Sequence, residues 1–176
     1  MRKLKFTLLA ILATSLTFTS CKEEETVTPA ADTAKVLVVH ASPNAPGVDL
    51  LVDNVKVNSS ALTFPNNTGY LTVNAGARNI KVNVSGTSTT VIDATPTLAK
   101  DVNYSVFAID SVSKISPLVT VDNLAAPASG KAHIRFIHLS PNAPAVDVSL
   151  VGQAAGTGLF LNRSFNKTIT ASESAF

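Results

Sequence analysis

The chain has 176 residues, of which 45% are hydrophobic and only 15% charged, and this is the composition of a folding protein rather than of a disordered chain. It has no Trp against nine Pro and eight Gly, and its many Val, Thr, Ser and Asn residues favour β-structure over a helical bundle. The formal net charge is +2, but three basic residues, Arg2, Lys3 and Lys5, lie in a segment that we expect to be removed. Eleven basic and twelve acidic side chains then remain, which argues against a nucleic-acid partner.

Residues 1–20 have the organisation of a secretory signal peptide. A basic start precedes an apolar stretch from Phe6 to about Phe18, and the small residues Thr19 and Ser20 follow. The apolar stretch is interrupted by hydroxyl residues and is shorter than the roughly 20 apolar residues that a membrane-spanning helix needs. We therefore predict a cleaved export signal.

The only cysteine of the chain, Cys21, stands where cleavage of this signal would fall. The stretch 18–21 resembles a bacterial lipobox, in which the cysteine is acylated and becomes the new N-terminus, although Phe18 replaces the usual Leu. No second cysteine exists with which Cys21 could form an intramolecular disulfide. We predict that Cys21 carries the lipid, palmitate included, and that this anchor is the chain's only contact with a membrane.

Charged residues follow the cysteine directly. They are Lys22, Glu23, Glu24 and Glu25. This run is similar to the export signal of Bacteroidota lipoproteins, and the resemblance implies an outer-membrane protein that faces the cell exterior. A solvated spacer is the alternative interpretation.

The segment 21–34 is expected to form a flexible tether between the lipid and the first module. Beyond the charged run it consists of Thr, Val, Pro, Ala and Asp. The triplet 32–34, Asp-Thr-Ala, resembles an O-glycosylation pattern of Bacteroidota, which implies modification of Thr33.

Short runs of apolar and β-branched residues predict strands along the rest of the chain. The alternation is clearest at 80–85, where Ile80, Val82 and Val84 share one face. The other predicted strands are 35–40, 47–52, 55–57, 61–64, 69–73, 89–94, 102–109 and 115–121. Asn, Asp and Gly separate them as turn residues, so the pattern predicts an all-β fold, an antiparallel β-sandwich of the immunoglobulin-like or Greek-key type. Almost no helix is expected after cleavage.

One segment occurs twice. Residues 36–49 and 134–147 agree at eight of fourteen positions, at an offset of 98. The polar and proline residues that the two copies share are His40, Ser42, Pro43, Asn44, Pro46 and Asp49, and His138, Ser140, Pro141, Asn142, Pro144 and Asp147. This agreement indicates duplication of a module.

The repeat predicts a tandem organisation. We expect a first sandwich module at 35–123, a linker of small and uncharged residues at 124–131, and a second module at 132–176 that is truncated. The repeated segment resembles the hallmark of the bacterial and archaeal domain-of-unknown-function family 4397, a strand that ends in His-x-Ser-Pro-Asp/Asn-Ala-Pro-x-Val-Asp. The resemblance implies exported or surface-attached β-sandwich modules, often in tandem, and implies no agreed activity.

Strand alternation assigns faces to the motif residues. His40 follows Val36 and Val38 on the inner face, whereas Asp49 points away from Val48. Opposite faces weaken any interpretation of the histidine and the aspartate as a metal pair or an acid–base pair. We predict a structural brace, in which His40 satisfies a carbonyl and Asp49 accepts loop N–H groups. A ligand-contacting loop is the next alternative, and catalysis or metal binding is the last.

The sequence lacks the usual signatures of chemistry. It has three His, no H-E-x-x-H, no G-x-S-x-G and no Asp-rich calcium loop, so we expect no enzyme, no cofactor and no metal. We predict a non-enzymatic cell-surface lipoprotein that serves adhesion, envelope structure or ligand presentation, with a glycan or protein ligand. One alternative is a glycan-binding accessory lipoprotein, and the other is a hydrolase with an unrecognised site. The aromatic platform for a glycan would use Tyr70, Tyr104, Phe107 and Phe136.

Overall fold

The computed structural model describes residues 31–166 and 172–175. Within them the strands are β1 Thr33–His40, β2 Val48–Val52, β3 Val55–Lys56, β4 Asn67–Asn74, β5 Gly76–Ala77, β6 Ile80–Val84, β7 Thr90–Ala94, β8 Thr97–Leu98, β9 Asn103–Ile109, β10 Ser116–Asp122, β11 Lys131–Ile134, β12 Val146–Val148, β13 Phe160–Arg163 and β14 Ser172–Ala175. A short 3₁₀ turn occupies Val112–Lys114. The all-β prediction is confirmed, and no helix of the described residues is long and apolar enough to cross a membrane.

Two four-stranded sheets form the sandwich. Sheet A has the order β10-β9-β1-β4, and sheet B has the order β3-β2-β6-β7. Neighbouring strands are antiparallel except for β1 and β9, which run parallel. Parallel neighbours need a long crossover connection, and here the chain passes through sheet B between β1 and β9. This one pair departs from the predicted antiparallel pattern.

The core lies between the two sheets. Alternate residues of β1 and β9 point into it, including Val36, Val38 and Val106, and they meet Leu50 and Val82 of sheet B. All five side chains are buried. The strands β1, β2, β6 and β9 therefore each supply one apolar face to the core, as the alternation in the sequence predicts.

Some predicted strand boundaries are wrong. The predicted strand 61–64 is reduced to a single bridge between Leu62 and Val48, because the exposed residues on either side of Leu62 have no apolar face to bury. β1 begins at Thr33 and pairs there with Asn74, so Thr33 belongs to a strand and not to the tether. The strand expected to end at His138 ends four residues earlier, at Ile134.

The residues after the predicted linker add small sheets. β11 pairs with β14, and β12 pairs with β13, each in an antiparallel pair of strands. The stretch 124–130 is exposed. By its contacts the chain from Ala31 onward is one compact unit, with Arg135 bonded to the last strand of sheet A.

Candidate functional site: the repeated loop and the Asp122 cluster

The first copy of the motif forms the loop between β1 and β2. His40 is completely buried, and its Nε2 lies 3.0 Å from the carbonyl oxygen of Pro46. Because a carbonyl only accepts, the ring N–H donates this hydrogen bond. A second bond, from Ala45 N–H to the carbonyl of Ser42 at 3.3 Å, closes the turn inside the loop. The histidine thus ties the end of β1 to the approach of β2.

The second copy repeats both bonds. His138 is buried, and its Nε2 lies 3.1 Å from the carbonyl oxygen of Pro144. The N–H of Ala143 bonds the carbonyl of Ser140 at 3.4 Å. Two hydrogen bonds at the same residue spacing mean that the two loops close in the same way.

The two histidines differ at their second ring nitrogen. Nδ1 of His138 accepts the backbone N–H of Ser140 at 3.3 Å. In the first loop, Nδ1 of His40 and the hydroxyl of Ser42 are buried and have no partner among the described residues.

The remaining motif side chains lie at the loop surfaces. Pro43, Asn44, Pro46, Asn142 and Pro144 are exposed, and Pro141 is half-buried.

The two motif aspartates accept hydrogen bonds from neighbouring strands and turns. Asp49 accepts hydrogen bonds from Lys56 Nζ at 2.8 Å, from Ser85 Oγ at 3.0 Å and from Gly86 N–H at 3.2 Å, and so holds the turn between β6 and β7. The Lys56 bond lowers the pKa of Asp49, and the bonds from Gly86 and Ser85 add to this against the opposing effect of burial. In the second copy Asp147 is exposed and accepts the N–H of Asn162 at 2.7 Å.

We expect Asp49→Ala to lower the melting temperature by several degrees, because the donors from Ser85 and Gly86 lose their acceptor. Thermal unfolding followed by circular dichroism measures the effect. Asp93→Ala is the matched control, since the Asp93 side chain is 54% exposed, lies 4.0 Å from Lys81 and accepts a hydrogen bond from the Asn79 side chain at 2.7 Å. If the two variants melted together with the wild type, Asp49 would not be a brace.

His40 and Asp49 do not form a shared site. His40 extends the inner face of β1, and Asp49 bonds the β6–β7 turn on the other side of β2. No three His, Cys, Asp or Glu side chains lie together as metal ligands within 31–166. Cys21 and the acidic run 22–25 lie outside the described residues.

A polar cluster that sequence reasoning missed lies on the outer face of sheet A. Strand register places Tyr70, Ser105 and Thr120 in one row across the sheet. The carboxylate of Asp122 accepts from Tyr70 Oη at 2.8 Å, from Ser105 Oγ at 2.6 Å and from Thr120 Oγ1 at 3.3 Å. Arg135 completes it, with Nη1 on the Asp122 carboxylate and Nη2 on the carbonyl of Val121 at 2.7 Å.

The Asp122 cluster is a satisfied buried ion pair. Burial raises the pKa of Asp122, but the hydrogen bonds from Ser105, Arg135 and Tyr70 outweigh it and lower the pKa overall. Burial and the Asp122 carboxylate together raise the pKa of Tyr70. The sequence carries one signal for this cluster, since Arg135 replaces Leu37 of the first copy. A charged residue on an otherwise apolar strand indicates that its side chain pairs with another residue. Its position in the sequence does not show which residue that is.

The four aromatic residues proposed as a glycan platform have separate roles. The Tyr104 ring is buried and its hydroxyl accepts the N–H of Ala99 at 3.0 Å. Tyr70 bonds Asp122, and Phe136 stacks on Phe160 with ring centroids 6.2 Å apart. Phe107 is half-buried on the outer face of sheet A. Tyr104 and Phe136 therefore make contacts of their own, whereas Tyr70 and Phe107 both lie on the outer face of sheet A.

The two loops face a common groove. It has a volume of about 450 Å³ and is lined by residues 39–41 and Pro43 of the first copy, the Phe64-Pro65 turn, and Leu139 and Ser140 of the second copy. Phe64 is exposed there. The repeated motif thus brings its two copies together in space.

Comparison with known proteins assigns the chain to a family. A search of curated proteins finds no match. A family model described as "Domain of unknown function (DUF4397)" matches residues 34–149, a span that contains both sheets of the sandwich and both loops. This match covers more than half of the chain, and the chain therefore belongs to the DUF4397 family.

Proposed function

We propose that the chain is a non-enzymatic, lipid-anchored surface protein whose β-sandwich serves as an attachment or ligand-presenting scaffold. One observation carries this proposal. The His and Asp side chains of the repeated motif are used to close loops and fasten strands, with His40 on the Pro46 carbonyl and Asp49 on the β6–β7 turn. Side chains that make such internal hydrogen bonds stabilise the conformation of the loops and of the surface that these loops form.

The sequence around Cys21 supports anchoring on the cell surface. The lipobox-like stretch 18–21 supplies the acylation site, and the charged run 22–25 supplies the export signal. The eleven residues between Cys21 and β1 span at most about 40 Å when extended. A lipid at Cys21 would therefore hold the sandwich close to the membrane without requiring the sandwich to touch it. The duplicated motif further supports a tandem organisation.

Metabolic labelling with palmitate tests the anchor. We expect the wild-type chain to incorporate label and to fractionate with membranes, and Cys21→Ser to lose both properties, because no other thiol is present. Ser20→Ala is the matched control, since it keeps a small residue beside the cysteine. Label retained by Cys21→Ser would refute the proposal. Protease treatment of intact cells then reports whether the sandwich faces the exterior.

A further inference from the structure

The sandwich has an open edge between β3 and β4. Among the described strands β3 pairs with β2 and β4 pairs with β1, so each is an edge strand of its sheet. A groove of about 480 Å³ lies between residues 57–62, which follow β3, and residues 66–68 with Leu71. This volume falls within the roughly 300–1,000 Å³ that small-molecule clefts occupy.

The lining of this edge groove is neutral and amphiphilic. Its polar residues are Asn58, Ser59, Ser60, Asn66, Asn67 and Thr68. Its apolar residues include Val57, Leu62 and Leu71, which pack in or against the core. No charged side chain lines the groove within the described residues. A charged ligand would therefore find no ion-pair partner there.

The walls of the edge groove are held in place from within. The Asn58 side chain accepts the N–H of Leu50 at 2.8 Å and donates to the carbonyls of Val48 and Ser60 at 3.1 and 2.7 Å. Across the groove, Thr68 Oγ1 accepts the N–H of Val38 at 3.0 Å. These bonds order both walls before any ligand arrives, which reduces the entropy cost of binding.

Other polar atoms of the edge groove remain available to a ligand. The hydroxyls of Ser59 and Ser60, Oδ1 of Asn66 and Nδ2 of Asn67 make no hydrogen bond within the described residues, and all four residues are exposed. Together they offer donors and acceptors around an apolar floor. A neutral sugar ring has the complementary chemistry, because its hydroxyls both donate and accept and its C–H faces are apolar.

We propose that the edge groove between β3 and β4 binds a neutral oligosaccharide. The site uses amide and hydroxyl side chains and does not involve Tyr70, Tyr104, Phe107 or Phe136. Recognition depends on hydrogen bonds over an aliphatic floor, so we expect neutral glycans to bind more tightly than acidic or sulfated ones. The groove is separate from the lipid anchor, and either can fail without the other.

Titration of the isotope-labelled full-length chain with maltotriose, cellotriose and N,N′-diacetylchitobiose tests the edge groove. We expect at least one of them to shift the amide signals of residues 57–62, 66–68 and 71 selectively. Ser60→Ala and Asn67→Ala should each weaken binding about fivefold, the effect of losing one neutral hydrogen bond. Asn123→Ala, an exposed amide on another part of the surface, is the control and should bind as the wild type does.

Three results would overturn this inference. The first is that none of the three saccharides shifts the amide signals of the groove residues. The second is that a sulfated heparin disaccharide shifts these signals equally. The third is that Ser60→Trp, which fills the groove, leaves saccharide binding unchanged. Cys21→Ser should bind saccharide like the wild type. Loss of palmitate labelling and loss of saccharide binding are therefore separate outcomes.

Discussion

Asp122→Ala is expected to lower the free energy of unfolding by about 3 kcal/mol, because it leaves a partly buried guanidinium and buried hydroxyls without their acceptor. The carboxylate joins the second-copy segment to sheet A through Arg135, and its side chain is only 6% exposed. The affected donors besides Arg135 are Tyr70, Ser105 and Thr120. Urea unfolding at neutral pH measures the loss.

Asp32→Ala is the control for burial. Asp32 pairs with Lys100 at 2.6 Å, yet both side chains are about 60% exposed, and exposed pairs contribute little to stability. The double variant Asp122→Leu, Arg135→Met should recover part of the stability lost in Asp122→Ala, since it removes both charges together. Equal losses in Asp32→Ala and Asp122→Ala would show that the buried cluster has no special role.

The Asp122 cluster also gives stability a pH dependence. The pKa of Asp122 is lowered in the folded chain, so its contribution is complete above the ordinary aspartate pKa of about 4 and is lost as the pH falls from there toward the folded value. The wild type should therefore lose more stability between neutral and acidic pH than Asp122→Asn does. If both proteins lost the same amount of stability on acidification, the ionised Asp122 carboxylate would not be the source of the pH dependence.

His40→Ala is expected to cost about 2–4 kcal/mol of unfolding free energy. The imidazole is fully buried at the end of β1, so its removal leaves a cavity and also leaves the carbonyl of Pro46 without its donor. His40→Gln should restore part of the loss, because a glutamine amide can donate to the same carbonyl. Chemical unfolding of the three proteins measures the difference.

His133→Ala is the control for His40→Ala. His133 lies half-buried in β11, and its side chain takes part in none of the hydrogen bonds described. We expect its replacement to change stability by less than about 1 kcal/mol. A similar cost at both positions would refute a loop-closing role for His40. Ester, peptide or glycoside hydrolysis abolished in a folded His40→Ala would contradict the non-enzymatic proposal.

The first loop could be predicted from the sequence because its bonds are local. Alternation along β1 places His40 inward, and the carbonyl that it binds belongs to Pro46, only six residues away. The predicted strand 61–64 was wrong because the residues on either side of Leu62 are exposed and have no apolar face to bury, which the composition of the segment does not show. Only Leu62 finds such a partner, in Val48.

The sequence by itself determined the all-β class, the order of the main strands and the repeated motif, since each depends on residues close together in the chain. Only the tertiary structure decided what surrounds Asp122 and which residues line the edge groove. Tyr70, Ser105, Asp122 and Arg135 come from four separate segments. Strand pairing and the docking of the Arg135 segment bring them together. Residue spacing and periodicity are local patterns, so they do not predict such long-range contacts.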